Sequence, residues 1–365
     1  DTGGTFTDGW ALDPDGREYR CKVLSSSVIR LQVDEVLGGG CYRLAGGHEF
    51  ADNFLRGFKV AGGGTVLNWI CRSRHITIGG GVDFSEGNRL EVFTGEDAPV
   101  LALRILTSTP PGVSFPLIDF RLATTRGTNA LLERKGSKGV LITNIGFEDI
   151  LRIRDQRRPH LFDLRQELPL PVFESCFGIS GRIDPSGEII DPLNQSERLD
   201  LIERLGRDSV EVVAVALLNS YANPAHEQEV GHWLRDAGFS YVSLSSDLTR
   251  TIRLLPRAET VSANAYLEPI MDRFIAKVRE GMEGGALQLL TSGGGLKDAG
   301  DYRPIDSLLS GPAGGVRGAQ SVARSAGCRK VIAFDMGGTS TDVSRIDGDP
   351  FLCYEQTIGP VTVAT

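Results

Sequence analysis

Two stretches of this sequence carry the same set of reactive side chains. Asp1-Thr2-Gly3-Gly4-Thr5-Phe6-Thr7-Asp8 recurs as Asp335-Met336-Gly337-Gly338-Thr339-Ser340-Thr341-Asp342, with glycines, threonines and bounding aspartates at one constant offset of 334 residues. That offset is far too long for a solenoid period, so the copies read as a pair of equivalent loops. Paired glycines tolerate positive φ and the flanking threonines favour extended backbone, which is the grammar of a tight turn between strands. In such a turn successive N–H groups converge on an anion. The glycines let phosphate oxygens approach the backbone, and the hydroxyls of Thr5, Thr7, Thr339 and Thr341 can donate further hydrogen bonds. Carboxylates repel bare phosphate, so Asp1, Asp8, Asp335 and Asp342 make sense if Mg²⁺ stands between them and the phosphates, held mostly through water. One copy alone is explained equally well as a glycine-rich hairpin. Two copies favour a phosphate and metal site over a duplicated structural hairpin. Neither copy is a Walker loop, because no GK[ST] follows the glycines, and neither is GxGxxG.

The totals narrow the setting. The chain has 365 residues, 41% of them hydrophobic, which is enough for two or three domains. A net charge of -8 disfavours nucleic acid or an anionic membrane as the main partner, so any phosphate binding is local. The six cysteines form no CxxC pair, and the five histidines show no HxH, HxxxH or HExxH spacing, which leaves zinc and redox motifs unsupported. Free thiols and the absence of a signal pattern or a bilayer-length apolar run point to the cytoplasm. The chain enters a glycine turn at Asp1 with no apolar strand before it, which reads as a trimmed start.

The elements that would position the octets follow α/β grammar. Residues 1–24 read as a hairpin with its turn at Asp13 to Gly16. Residues 25–118 are looser, with Gly38-Gly39-Gly40, Gly62-Gly63-Gly64 and Gly79-Gly80-Gly81 punctuating weak strands, and read as an inserted subdomain. From 119 to 329 strands and helices alternate: strands at Phe120–Thr125, Lys138–Thr143, Val210–Leu218, Tyr241–Ser245 and Leu287–Leu290, with helices between them. The long helix over Glu259–Glu280 should be interrupted at Pro269. A helix over Arg317–Ala326 precedes 330–365, where a strand at Lys330–Phe334 runs into the second octet. Arg126-Gly127-Thr128-Asn129 falls where a strand hands over to a helix and reads as a ligand-facing turn or an ordinary N-cap. Ser292-Gly293-Gly294-Gly295 reads as a hinge or, less readily, as a ligand loop.

The two octets resemble the phosphate 1 and phosphate 2 loops of the actin-like superfamily. Their wording, together with Thr124-Thr125-Arg126-Gly127-Thr128-Asn129-Ala130-Leu131-Leu132, Gly146-Phe147-Glu148-Asp149 and Ser310-Gly311-Pro312-Ala313-Gly314-Gly315, resembles the hydantoinase A and 5-oxoprolinase family specifically. The resemblance spans nearly the whole chain except about Ser25 to Phe115. It implies an α/β actin-like ATPase of two ribonuclease-H-like lobes with ATP and Mg²⁺ in the cleft. It also implies phosphorylation of an amide or ketone oxygen of a small substrate, followed by ring opening or carboxylation. A hydantoinase B-type subunit or domain, in an oligomer, would be the partner. Thr365 falls before the segments that should complete the second lobe and hold adenosine.

On this reading Gly3, Gly4, Gly337 and Gly338 cradle phosphates, the four threonines assist, and Ser310, Gly311, Gly314 and Gly315 lie near the nucleotide. Asp8, Asp335 and Asp342 serve catalysis. Arg154, Arg157 or Arg158, in the stretch Arg152 to His160 that resembles the family's arginine-rich segment, would hold a substrate carboxylate or neutralise phosphoryl charge. A solvated loop paired with nearby acids is the alternative for that stretch. The rivals to cyclic-amide hydrolysis are a ketone carboxylase subunit and a non-metabolic ATPase switch.

Overall fold

The computed structural model describes the chain apart from residues 47–49, 158–160, 167, 283, 337–340, 350–352 and 365. Strands β1 (Phe6–Leu12) and β2 (Glu18–Leu24) pair antiparallel, from Phe6 opposite Leu24 to Leu12 opposite Glu18. Asp13 builds their turn: its carbonyl accepts the Gly16 N–H at 3.0 Å and its carboxylate the Arg17 N–H at 2.8 Å, the local bonding that suits aspartate to turns.

Six short strands follow: β3 (Ile29–Gly38), β4 (Cys41–Leu44), β5 (Lys59–Val60), β6 (Thr65–Ile70), β7 (His75–Gly79) and β8 (Arg89–Phe93). They close into a barrel in the order β3-β4-β7-β6-β5-β8. Its interior is filled by Tyr42, Phe54, Phe58, Trp69, Ile76 and Leu90, so it is a packed core and not a pore. Ile29 pairs with Val92, so the chain enters and leaves the barrel at one seam. Helix α1 (Ala98–Thr107) then packs in two directions, with Ala98 and Ala102 against Val23 of the hairpin and Leu101 in the barrel core.

Strand β9 (Asp119–Leu122) leads to α2 (Arg126–Leu132), β10 (Gly139–Asn144), the four-residue α3 (Ile150–Ile153) and β11 (Ser175–Ile179). A small hairpin of β12 (Arg182–Ile183) and β13 (Ile189–Asp191) precedes α4 (Glu197–Arg207), β14 (Val212–Val215), α5 (Ala225–Asp236), β15 (Tyr241–Leu244) and α6 (Ser245–Leu248). Strands β11-β10-β14-β15 form a parallel sheet in that order. Its central strands are continuous apolar runs because both faces are buried.

Helix α7 (Leu254–Met282) runs through Pro269 without a break, against the expected interruption. Ala258, Val261, Ala265, Leu267, Met271 and Phe274 are all buried along it. Packing of that extent outweighs the roughly 3 kcal/mol an internal proline costs. Strands β16 (Ala286–Leu290) and β17 (Leu296–Asp298) form a hairpin, with β16 parallel to β9. Ser292 to Gly295 is thus a hairpin turn, closed by the Gly294 N–H on the Thr291 carbonyl at 2.9 Å, and not a hinge between domains.

After a 3-10 turn (Pro304–Ser307), α8 (Ser310–Ser325) begins seven residues before the expected Arg317. Strands β18 (Lys330–Met336), β19 (Thr341–Asp347), β20 (Glu355–Ile358) and β21 (Val361–Ala364) form two antiparallel ribbons. The chain divides into two compact units. One comprises Asp1–Arg126, Arg273–Tyr302 and Leu309–Arg317, and the other comprises Gly127–Asp272, Arg303–Leu308 and Gly318–Thr365.

In the second unit the carboxyl ends of β14 and β15, where α/β sheets commonly bind ligands, are plugged by a buried polar network. The Glu227 carboxylate accepts the Leu217 N–H at 2.9 Å, the Ser220 and Ser245 hydroxyls at 2.6 Å each, and the Ser246 N–H at 2.8 Å. Arg257, fully buried, lies 3.6 Å from Glu227 and donates to the Leu217 carbonyl at 2.8 Å. Removing one member leaves a charge buried without its counter-ion. Glu227→Ala should therefore lower unfolding free energy by about 3–5 kcal/mol in urea titrations, and an effect within experimental scatter would refute the role.

Candidate functional site

The first octet is itself a hairpin. The Asp8 N–H donates to the Asp1 carbonyl at 2.9 Å, Asp1 N donates to the Asp8 carbonyl at 2.8 Å, and Thr2 bridges Thr7. The two aspartates therefore stand directly opposite each other. The Gly3 N–H donates to the Phe6 carbonyl at 3.0 Å, closing a four-residue turn with Gly4 and Thr5 at its exposed tip. Gly3 is tightly placed: a Cβ there would come within 3.2 Å of the Phe6 oxygen. Thr7 corrects the expectation that all the threonines reach a phosphate. Its side chain is buried on the inner face, 3.1 Å from Ser25 Oγ, and Ser25 Oγ donates to the Gly3 carbonyl at 2.8 Å. Thr7 and Ser25 brace the turn from behind.

Asp8 faces outward and is already paired. Lys22, opposite it on β2, places Nζ 2.9 and 3.0 Å from its two carboxylate oxygens and 5.0 Å from the centre of the Phe6 ring.

The second octet repeats the register. Asp335 stands opposite Asp342 and Met336 opposite Thr341, as Asp1 stands opposite Asp8 and Thr2 opposite Thr7. Asp335, Thr341 and Asp342 are exposed, and neither aspartate has an ion-pair partner among the described residues. Gly337, Gly338 and Thr339 lie outside the described residues, as does Arg158. Like charges directly opposite each other are unfavourable in a ladder, so this ribbon retains uncompensated negative charge. Among the described residues no three of His, Cys, Asp or Glu gather as metal ligands would. Each hairpin contributes one pair of aspartates.

Two other motifs meet the first turn within its unit. The Thr2 N–H donates to the Ala123 carbonyl at 2.8 Å and the Thr125 N–H to the Thr2 carbonyl at 3.0 Å, which stitches the octet beside the end of β9. The Thr124 hydroxyl accepts the Arg126 N–H at 3.1 Å where α2 begins. Arg126 itself lies over the Phe274 ring, 4.4 Å from its centre. Ser310, fully buried, donates from its hydroxyl to the Thr124 carbonyl at 3.2 Å. Ser310, Gly311, Gly314 and Gly315 are thus not a loop before a helix but the first turns of α8. The reason is close packing: a Cβ on Gly314 would come within 2.6 Å of Leu290.

A helix start has N–H groups without intrahelical partners and a positive dipole end, both suited to an anion. Thr2 Oγ1, buried in the same cluster, has no hydrogen-bond partner among the described residues. An exposed glycine tip and an unsatisfied buried hydroxyl, in one cluster with a helix start, fit a phosphate group.

Arg154 is paired with an acid from a distant part of the chain. It takes a left-handed backbone (φ 52°) just after α3, and its guanidinium pairs with Glu259 at 2.7 Å, the two side chains only 15% and 5% exposed. Glu259 also accepts the Thr362 N–H at 2.8 Å. Burial pushes the Glu259 carboxyl above its usual range, with Arg154 pulling in the opposite direction. Glu259 was invisible in the sequence, where it reads as one more residue of a long helix. Arg157 pairs with Asp155 at 2.8 Å.

Two family models match the chain, the hydantoinase/oxoprolinase N-terminal region over residues 63–238 and hydantoinase/oxoprolinase over residues 257–365. The chain belongs to the hydantoinase/oxoprolinase family. Within that family it is 35% identical to the 5-oxoprolinase of Saccharomyces cerevisiae over 68% of this chain and 22% of that protein. It is 34% identical to 5-oxoprolinase 1 of Arabidopsis thaliana over 72% of this chain and 23% of that one. The acetophenone carboxylase gamma subunit of Aromatoleum aromaticum matches at 30% over 63% of this chain and 34% of the subunit. The chain thus spans about a quarter of the length of the two 5-oxoprolinases.

Among solved structures, nucleotide-free acetone carboxylase superposes with TM-score 0.60 at 24% identity, covering 67% of this chain and 37% of that one, a likeness of fold alone. ATP-dependent caprolactamase from Pseudomonas jessenii superposes with TM-score 0.54 at 29% identity, covering 61% and 34%. These neighbours agree with a mixed α/β fold. No helix among the described residues is long and apolar enough to cross a membrane.

The inner face of the glycine hairpin offers a direct check on its packing. Cys21 lies there beside Ala102, and burial pushes its thiol up to about 11. A raised thiol value means the protonated form persists through neutral and mildly alkaline pH. At pH 8 iodoacetamide should label exposed Cys328 and Cys353 and spare Cys21, whose labelling should rise only as pH approaches 11. Equal labelling at pH 8, read by peptide mass spectrometry, would contradict this packing.

Proposed function

We propose that this chain is the phosphate-gripping part of an ATP-dependent enzyme that opens a small cyclic amide of the 5-oxoproline or hydantoin type. One observation carries the reading: two octets that coincide at six of eight positions, each with its aspartates face to face, in a chain of the hydantoinase/oxoprolinase family. The architecture is that of an actin-like ATPase with ribonuclease-H-like lobes, residues 25–118 forming an insertion. Gly3, Gly4 and Thr5 take one part of the triphosphate, and Gly337, Gly338, Thr339 and Thr341 take another. Ser310, Gly311, Gly314 and Gly315 add the start of α8 to the phosphate environment.

Mg²⁺ neutralises phosphate charge when bound. Asp335 and Asp342, which pair with no cation among the described residues, are the pair best suited to hold it, with Asp1 and Asp8 acting through water. Asp8, Asp335 and Asp342 also order water near the reacting phosphate. Arg154, held by Glu259, and Arg158 are the arginines assigned to the anionic substrate.

In the reaction the ring carbonyl oxygen takes the γ-phosphoryl group and ADP leaves. Water adds to the activated carbon, the C–N bond breaks with nitrogen taking a proton, and a second water releases phosphate from the acyl group. The chain's contribution is placement and charge neutralisation. A hydantoinase B-type subunit or domain completes the enzyme, in a cytoplasmic oligomer.

A second reading, phosphorylation of a ketone-derived enolate before carboxylation, is favoured by the identity with the acetophenone carboxylase gamma subunit. The two separate on the complete enzyme: ATP turnover stimulated by 5-oxoproline or a hydantoin supports ring opening, whereas bicarbonate-dependent turnover with acetone or acetophenone supports carboxylation. Asp342→Ala should abolish Mg²⁺-nucleotide turnover, a loss of at least about a hundredfold, with the melting temperature of the unliganded protein nearly unchanged. A large fall in that melting temperature would show the carboxylate to be structural.

A further inference from the structure

We propose that Lys22 supplies the positive charge at the first glycine turn, and that Asp8 and Phe6 hold its ammonium ready for a phosphate oxygen. This role rests on the phosphate-binding reading of the same turn. The octet contains no lysine of its own, yet a phosphate set beside Asp1 and Asp8 needs a local cation to offset their repulsion. Lys22 arrives from the neighbouring strand. Its Nζ sits 2.9 and 3.0 Å from the two Asp8 carboxylate oxygens and 5.0 Å from the centre of the Phe6 ring. Phe6 is the residue whose carbonyl closes the turn with the Gly3 N–H.

A four-carbon chain is ordinarily free to wander. Here a carboxylate and a ring face fix it on the exposed side of the hairpin, next to the turn. The side chain is 57% exposed, which leaves its ammonium open to a further acceptor. The next cation along β2, Arg20, is engaged by Glu18, which also accepts the Trp10 indole N–H at 3.3 Å. Lys22 is therefore the cation of this hairpin nearest the glycines in register. The second hairpin differs, since no cation pairs with Asp335 or Asp342 among the described residues. The two octets share a backbone register but differ in charge, the first suited to phosphate and the second to a divalent cation.

Calorimetric titration of the full-length protein with ADP and with AMP, in Mg²⁺, tests the assignment in wild type, Lys22→Ala and Lys22→Arg. Lys22→Ala should weaken ADP binding by about tenfold or more while AMP binding and the unliganded melting temperature stay nearly unchanged. Lys22→Arg should recover most of the ADP affinity. An unchanged ADP affinity in Lys22→Ala would overturn the role of Lys22 and leave an ordinary surface ion pair, the phosphate site itself standing. Failure of the wild type to bind ADP or ATP would overturn the phosphate reading and this role with it.

Discussion

The proposed chemistry depends on one backbone constraint, two aspartates held face to face by strand pairing. In the first octet the Asp1 and Asp8 main chains exchange hydrogen bonds, and the turn from Gly3 to Phe6 follows because so few residues connect them. In the second octet Asp335 opposes Asp342 in the same register. Side chains alternate across a strand, so this register fixes which groups face outward. Asp8 lies on the outer face with Phe6 and Trp10, while Thr7 turns inward to Ser25.

The surrounding scaffold serves that constraint. Thr2 is sewn to the end of β9, Ser310 ties the start of α8 to Thr124, and α1 supports the hairpin on one side while filling the barrel on the other. The barrel joins the unit through a single seam, which explains how some seventy residues can be accommodated between β2 and α1 without disturbing the hairpin. In the second unit the sheet's carboxyl edge is closed by Glu227 and Arg257, so the most obvious ligand position of that sheet is occupied by protein groups.

Much of this was legible in the sequence. The first hairpin could be read because alternation and an Asp-Gly turn agree locally, and the parallel strands because continuous apolar runs of that length have few other uses. The barrel could not be assembled from its letters: its strands are short, and register depends on partners scattered across the segment. Helix α8 starts earlier than Gly-Pro-Ala-Gly suggests, and at Gly314 a side chain would run into Leu290. Thr7 looked like a phosphate ligand because its type fits, but strand parity sends it inward. The partner of Arg154 was not legible because Glu259 is distant in the chain, and only the fold brings the two together.

Hydrogen exchange of the full-length protein, with and without Mg²⁺ and a non-hydrolysable ATP analogue, tests the shared-triphosphate claim most directly. Amides of both octets, residues 1–8 and 335–342, should gain protection together on binding, and should not do so with adenosine. Protection at one octet alone, or at neither while the analogue is bound, would contradict the account.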